Sequence, residues 1–246
     1  MEKDAAARRK ARTKAAQVPG AEPAPDEAAK AMLSTLDLLL QDAIRDSYEA
    51  FRPHMTGAML FPKKQHLRRY ALAQALRGPL AATGLYAEFG VWRGHGVNQF
   101  ARDLAPHGRR VAGFDSFEGL EEDWTGHHRG RERGGFSTGG SLPQVEANVD
   151  LVQGWVQDTL PGWLAAHPDQ PFAFAHMDMD TYTPTAFALA ALADRLQPGT
   201  VLLFDELYGY PGWRNHEWRA LCECIASERL RYIGFSDQAV AVQIVG

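Results

Sequence analysis

Residues 175–182 read Ala-His-Met-Asp-Met-Asp-Thr-Tyr, and residues 201–206 read Val-Leu-Leu-Phe-Asp-Glu. Each is an apolar strand signal that ends in carboxylates, Asp178 and Asp180 in the first, Asp205 and Glu206 in the second. If the two strands are parallel neighbours, about 4.8 Å apart, four acidic side chains meet at one sheet edge. Carboxylates that close repel, and some must take up protons. A bound divalent cation removes the repulsion, and oxygen-only donors suit Mg²⁺, Mn²⁺ or Ca²⁺. Strand-end carboxylates also cap following helices. Thr181, Thr183 or Asp180 could cap a helix starting near Thr185, so Asp180 carries both readings.

A second constellation lies upstream. The segment Tyr86-Ala87-Glu88-Phe89-Gly90-Val91-Trp92-Arg93-Gly94-His95-Gly96 follows the pattern E-x-G-x-x-x-G-x-G, not the G-x-G-x-x-G of a dinucleotide turn. Its glycines let backbone approach a ligand at a strand-to-helix turn. The carboxylate of Glu88 would repel a pyrophosphate and hold a cationic amino group. Asp115 ends the next strand signal, 25 residues after Gly90, where an acidic side chain can grip two ribose hydroxyls. A ligand with a ribose and an ammonium but no diphosphate matches S-adenosylmethionine. A tight turn without ligand is the bland alternative.

The elements that must position these groups follow from pattern. Strand signals fall at 85–89, 110–114, 149–153, 172–177 and 200–204, with helical stretches at 97–104, 160–166 and 185–195. Such alternation implies a parallel sheet with right-handed crossovers. A helix at 217–227 leads to strands 230–236 and 239–245, separated only by Asp237-Gln238, which predicts an antiparallel hairpin. Upstream, residues 28–40 place Leu33, Leu36, Leu39 and Leu40 on one helical face, with Asp26 as N-cap. A second helix over 63–77 turns Leu67, Tyr70, Ala71 and Leu76 inward and stops at Gly78-Pro79. The expected organisation is a flexible tail at 1–28, capping helices over the active face at 29–80, and a catalytic domain at 81–246.

Composition sets the outer limits. The chain has 246 residues and a formal net charge of −4, which argues against a general nucleic-acid binder. The basic start of the tail, with Arg8, Arg9, Lys10, Arg12 and Lys14, could touch RNA or membrane, and a solvated tail is the plainer expectation. Cys222 and Cys224 form a C-x-C pair too close for an easy disulfide and too few for a zinc site. No apolar run approaches the ~20 residues of a membrane span and no signal sequence is read, so the cytoplasm is the expected location. The leucine face of the first helix could build a homodimer.

As a set, Glu88–Gly94, Gly113–Leu120, Gly154–Pro161, Met177–Thr185 and Leu196–Glu206 resemble the class I S-adenosylmethionine-dependent methyltransferases. Within that class they resemble the macrocin O-methyltransferase-like family, metal-dependent enzymes that methylate sugar hydroxyls in antibiotic biosynthesis. The resemblance spans roughly residues 55–245 and implies a Rossmann-like sheet of five parallel strands plus the hairpin. It implies that Glu88 and the turn through Gly90, Gly94 and Gly96 hold the methionine part of the donor. Asp115 with Ser116 would take the ribose, and Trp155 and Gln157 would lie near the adenine. Asp178, Asp205 and Glu206 would bind Mg²⁺ or Mn²⁺, and Asp178 also borders the donor. Met55 corresponds to a position near the cofactor. The Asp205-Glu206 pair departs from the two aspartates common in the family, which leaves the third ligand open between Glu206 and Asp180.

The chemistry implied is in-line displacement at a sulfonium methyl, for which the enzyme supplies alignment and an activated hydroxyl. A divalent cation acidifies the hydroxyl, and Asp180 would take its proton as general base. His127, in the polar Glu121–Gly140 stretch with His128, Arg129, Arg131 and Arg133, is an alternative base on what reads as a mobile lid, and a solvated loop histidine is the plainer expectation. The aromatic segment Tyr208–Glu217, with Arg214 and His216, could line an acceptor pocket or pack structurally. His176 shares the strand face of Asp178. Competing functions are an NAD-type oxidoreductase, against which the glycine spacing and Glu88 stand, and a non-catalytic S-adenosylmethionine-binding scaffold.

Overall fold

The computed structural model describes residues 34–246. The chain divides into two units, Met1–Leu38 and Leu39–Gly246. Of the first unit only Ser34–Leu38 is described, so the expected tail and the start of the first expected helix, including Leu33, lie outside the described residues.

Helix α1 spans Thr35–Met55 and continues well past Leu40, where the leucine pattern ends. Ser34 and Asp37 cap each other's backbone: Asp37 N–H donates to Ser34 Oγ at 3.1 Å and Ser34 N–H to Asp37 Oδ2 at 2.9 Å. The later half is held by a narrow stripe, Ala43, Ser47 and Phe51. Phe51 is fully buried among the rings of Tyr208, Trp213, Trp218, Tyr232 and Phe235. A short strand β1 (Met59–Phe61) follows, then α2 (Lys64–Arg77), which ends at Gly78. Its buried side chains are Leu67, Ala71, Leu72 and Ala75; Tyr70 and Leu76, expected inward, are only half-buried.

The alternating part is β2 (Leu85–Phe89), α3 (His95–Leu104), β3 (Val111–Asp115), β4 (Val149–Gln153), α4 (Val156–Ala165), β5 (Phe172–Met177), α5 (Tyr182–Leu192) and β6 (Val201–Phe204). Helix α6 (Glu217–Cys224) and strands β7 (Leu230–Ser236) and β8 (Ala239–Ile244) complete it. The eight strands form one sheet in the order β1-β7-β8-β6-β5-β2-β3-β4. Pairs β2–β3, β3–β4, β2–β5 and β5–β6 are parallel, and β8 is antiparallel to both β6 and β7. The expected five parallel strands and terminal hairpin are present. Because β8 inserts between β6 and β7, β8 alone runs against the rest, and β1 adds a parallel edge strand beside β7.

Helices α2 and α3 bury Leu67, Ala71, Val97, Phe100 and Leu104 against one face of the sheet. Helices α4, α5 and α6 bury Leu160, Leu189, Leu192 and Leu221 against the other, where Phe51 of α1 joins them. Strands covered on both sides read as unbroken apolar runs, and every residue of β5 and β6 is buried. Each large side chain so buried contributes about 1.5–3 kcal/mol. This central pair is therefore a rigid base for the acidic residues at its C-terminal ends.

Candidate active site

The first half of the site is built where β2 turns into α3. Glu88 is the register partner of His176 on β5, which places both side chains on the α3 face. Glu88 Oε1 lies 2.9 Å from His176 Nδ1, while the buried Oε2 has no protein partner. An ammonium group would satisfy that orphaned oxygen. Burial pushes the Glu88 carboxyl up, and His176 offsets this in part. Gly96 must lack a side chain, since a Cβ there would stand 2.1 Å from Glu88 Oε1. Gly90, at φ +94°, is equally constrained: a Cβ would meet the carbonyl oxygen of Asp178 at 1.8 Å.

Asp115 ends β3 and shapes the turn. Its Oδ2 accepts from the N–H groups of Val91 at 2.8 Å and Trp92 at 2.7 Å, and its Oδ1 from Phe117 at 2.7 Å. The carboxylate thereby holds Trp92 at φ 47°, a conformation bulky residues rarely adopt. Glu88, Gly90, Gly96, Asp115, Ser116 and Trp155 border one cavity of about 480 Å³, into which Asp178, Asp180, Asp205 and Glu206 also face. Gly94 sits at the N-terminus of α3 outside the cavity wall, against Pro143. Gln157 also stands back from it, donating to Glu121 Oε2 at 2.6 Å. Met55 borders a separate small cavity with Leu60, Phe61 and Tyr208, so its expected place near the cofactor is not where the fold puts it.

The acidic half lies across the same cavity. Asp178 and Asp205 each extend the sheet ladder by one residue, through Asp178 N–H to Phe89 O at 2.8 Å and Asp205 N–H to Met177 O at 3.1 Å. Asp178, Asp205 and Glu206 each present an oxygen within 4.8 Å of the others. Asp180 adopts φ 63° and borders the cavity. It does not cap α5: Thr181 is the N-cap residue, and Glu122 accepts from Thr183 N–H at 2.8 Å.

Two residues the sequence reading passed over complete this half. Lys64 Nζ donates to Asp205 Oδ2 at 2.9 Å and also to Glu206 Oε1. Arg68, one turn along α2, donates to Asp205 Oδ1 at 2.7 Å and lies 3.7 Å from Asp178 Oδ2. All three carboxylates therefore meet a cation from α2, which makes α2 the capping helix that reaches the site. The signal was Lys64 and Arg68 at i, i+4 spacing, on one face of a helix. Glu217, fully buried at the start of α6, accepts from Glu206 N–H at 3.2 Å and leaves Oε1 without a partner.

The electrostatics follow from this crowding. Burial acts to raise Asp205, but Lys64 and Arg68 outweigh it and hold the carboxyl well below its usual range. Asp178 is pushed up to about 7 by burial and by Asp205. Glu206 is pushed up to about 8 by burial and by Asp205, against the pull of Lys64. Asp180 and Glu217 rise well above the carboxylate range through burial and the neighbouring Glu206. His176 would be lowered by burial, yet its bonds to Asp205 and Glu88 carry it to about 9. Lys64, Arg68 and His176 are thus too few for Glu88, Asp178, Asp180, Asp205, Glu206 and Glu217. The buried Glu206 Oε2 has no partner. Oxygen donors in this number, whose full ionisation those three cations do not balance, fit a hard divalent cation.

The segment 117–140 is tied down rather than free. Trp124 N–H donates to Arg131 O at 2.8 Å, and Gly126 packs against Gly212. His127 is buried, stacked on Trp124 with centroids 4.0 Å apart. Its Nε2 faces Gln238 Oε1 at 3.1 Å and its Nδ1 accepts from Arg129 N–H at 3.0 Å. Burial pushes its pKa down to about 4. With both nitrogens engaged away from the cavity wall, His127 anchors the segment and is not placed to act as a base. Gly119, Leu120, Glu121, Trp124, Arg129 and Phe136 are the parts of this segment that border the cavity. Tyr208, Tyr210 and Trp213 pack into the core, Arg214 pairs with Asp46, and His216 bonds Thr125 O at 2.9 Å, so residues 208–216 pack structurally and Glu217 alone of this segment reaches the acidic cluster. Cys222 and Cys224 are free thiols.

Comparison with known proteins agrees with this geometry. Residues 87–207 match a family described as "Methyltransferase domain". The chain is 34% identical over 187 residues to 8-demethyl-8-(2,3-dimethoxy-α-L-rhamnosyl)-tetracenomycin-C 4'-O-methyltransferase of Streptomyces olivaceus, covering 67% of each chain. It is 30% identical over 200 residues to mycinamicin III 3''-O-methyltransferase of Micromonospora griseorubida, covering 71% of this chain and 74% of that one. Among solved structures, the calicheamicin methyltransferase CalS11 shares the fold with a TM-score of 0.57 at 23% identity, over 91% of this chain and 94% of that one. The O-methyltransferase NovP does so with a TM-score of 0.56 at 22% identity, over 74% and 80%. The relatives, both named as O-methyltransferases, set aside the NAD-type and scaffold readings. The chain belongs to the class I S-adenosylmethionine-dependent O-methyltransferases of the macrocin O-methyltransferase-like kind.

Proposed function

We propose that this enzyme methylates a sugar hydroxyl, or a comparable hydroxyl, of a natural-product intermediate, with Mg²⁺ or Mn²⁺ held by Asp178, Asp205 and Glu206. The observation that carries the metal part is the convergence of these three carboxylates within 4.8 Å beside the donor cavity. The acceptor class rests on the relatives: one is named for a rhamnosyl-bearing tetracenomycin and another for mycinamicin III.

Glu88 holds the amino group of the donor through its free Oε2, and Asp115 and Ser116 face the ribose, with Trp155 beside the adenine. With the donor bound, these residues would hold it in one orientation, so that alignment replaces random encounter. Asp178, Asp205 and Glu206 would hold a divalent cation, which would supply Lewis acidity to the acceptor hydroxyl. Asp180 takes the hydroxyl proton. Its position on the cavity wall, free of any capping duty and beside the three proposed cation ligands, suits a general base, a role worth about 10²–10⁴-fold. Trp124, Phe136 and Arg129 line the remaining wall and would contact the acceptor.

The test is transfer of labelled methyl from S-adenosylmethionine across a panel of glycosides, free sugars, polyketides and catechols, with Mg²⁺ and with EDTA. Turnover of a glycoside that EDTA abolishes and Mg²⁺ restores is expected. Undiminished turnover in EDTA would remove the metal from the account, and activity on catechols alone would replace the acceptor class.

A further inference from the structure

One buried group has no part in the chemistry above, although it touches both halves of the site. His176 is wholly buried on the central strand β5. Its Nδ1 lies 2.9 Å from Glu88 Oε1 on β2, and its Nε2 lies 3.4 Å from Asp205 Oδ1 at the end of β6. A single rigid ring thus spans three adjacent strands and joins the donor's carboxylate to the metal's. Glu88 and Asp205 are themselves 1% and 5% exposed, so bulk water does not compete for these contacts.

The surroundings leave little slack. Glu88 Oε1 fills the space a Cβ on Gly96 would take, with that Cβ position 2.1 Å away. The ring of Phe100 stands edge-on to the imidazole at 5.2 Å. Asp205 Oδ1 is shared between His176 and Arg68. Well-packed surroundings of this kind transmit a displacement instead of absorbing it, and buried hydrogen-bond networks act as units. A ligand that fixes Glu88 through its free Oε2 therefore fixes the imidazole, and the imidazole fixes the oxygen that Asp205 presents.

We propose that His176 is a positioning residue that couples the two halves of the site, so that donor binding at Glu88 and cation binding at Asp205 strengthen each other through it. The inference rests on the donor and metal assignments of the proposed function. Coupling between binding sites is reciprocal, which allows either ligand to report it.

The experiment is calorimetric titration of S-adenosylhomocysteine into the full chain, in EDTA and in saturating Mg²⁺. The product is chosen because it lacks the sulfonium charge, which removes that group's direct repulsion of the cation. The wild type should bind it at least about fivefold more tightly with Mg²⁺, the lower end of ordinary coupling. His176→Asn retains an amide at the Nδ1 position and His176→Gln one at the Nε2 position, so each keeps one arm and loses the other. In each, the Mg²⁺ effect should shrink to within twofold, while S-adenosylhomocysteine still binds. A merely structural histidine would lower thermal stability and leave the ratio untouched. Wild type that binds both ligands without coupling, or a variant that keeps the full ratio, would overturn the proposal and leave the proposed function standing. Wild type that binds no Mg²⁺ at all would remove the metal reading and the inference with it.

Discussion

The ion pairs from α2 to the acidic cluster make a quantitative prediction about the metal-free protein. Lys64 keeps a 20% exposed side chain between Asp205 and Glu206, whose side chains are 7% and 10% exposed. Lys64→Met keeps the length and apolar stem of the side chain and removes its charge. Deleting one partner of a buried pair costs about 3–5 kcal/mol, because the other partner stays buried and uncompensated. The partial exposure of Lys64 puts the cost at the lower figure, about 3 kcal/mol. In a domain of this size each kcal/mol moves Tm by about 2–4 °C, so in EDTA the variant should melt roughly 6–12 °C below wild type. Mg²⁺ then has more to offer the variant, since it replaces the missing charge and need not displace an ammonium. Differential scanning fluorimetry of both proteins, in EDTA and in Mg²⁺, reads both effects. A metal-free Tm within about 2 °C of wild type, or an Mg²⁺-induced rise no larger than that of wild type, would refute the reasoning.

Other consequences can be checked separately. Gly96→Ala forces a methyl to within 2.1 Å of Glu88 Oε1; overpacking of about 1–3 kcal/mol should weaken S-adenosylhomocysteine binding about tenfold or more, and unchanged affinity in calorimetry would count against Glu88 as the donor's anchor. Asp180→Asn suits the left-handed backbone at φ 63°, so the fold should survive while turnover drops about 10²–10⁴-fold; near-normal kcat would move the base elsewhere. His127 is depressed to about 4 in the folded chain, whereas the unfolded chain takes up that proton near pH 6.5. Its contribution to stability is therefore full above pH 6.5 and declines as pH falls toward 4. A pH series of melting curves for wild type and His127→Gln should show that part of the acid slope vanish in the variant.

Much of the scaffold could be read from residue types, for identifiable reasons. Strands β2, β4, β5 and β7 fall where expected because each is a short apolar run bounded by turn residues. The carboxylates were legible because they stand at the ends of such runs. What escaped were groups whose surroundings come from distant chain. Lys64 and Arg68 look like ordinary solvated helix residues until α2 lies over the ends of β5 and β6. Glu217 resembles a favourable acidic first-turn residue, yet it is buried beneath Glu206. The stripe Ala43–Ser47–Phe51 is too narrow to announce a helix, and β1 has only three residues. His127 read as a loop histidine, solvated or serving as a base, because its partner Gln238 is remote in sequence.

The central claim is that the strand-end carboxylates form a cation site completing the donor pocket. It is tested most directly by electron paramagnetic resonance of Mn²⁺ titrated into the protein in the presence of S-adenosylhomocysteine. The account predicts one bound Mn²⁺ per chain in wild type and none in Asp205→Ala, with S-adenosylhomocysteine still bound by the variant. No bound Mn²⁺ in wild type, or equal binding by the variant, would contradict it.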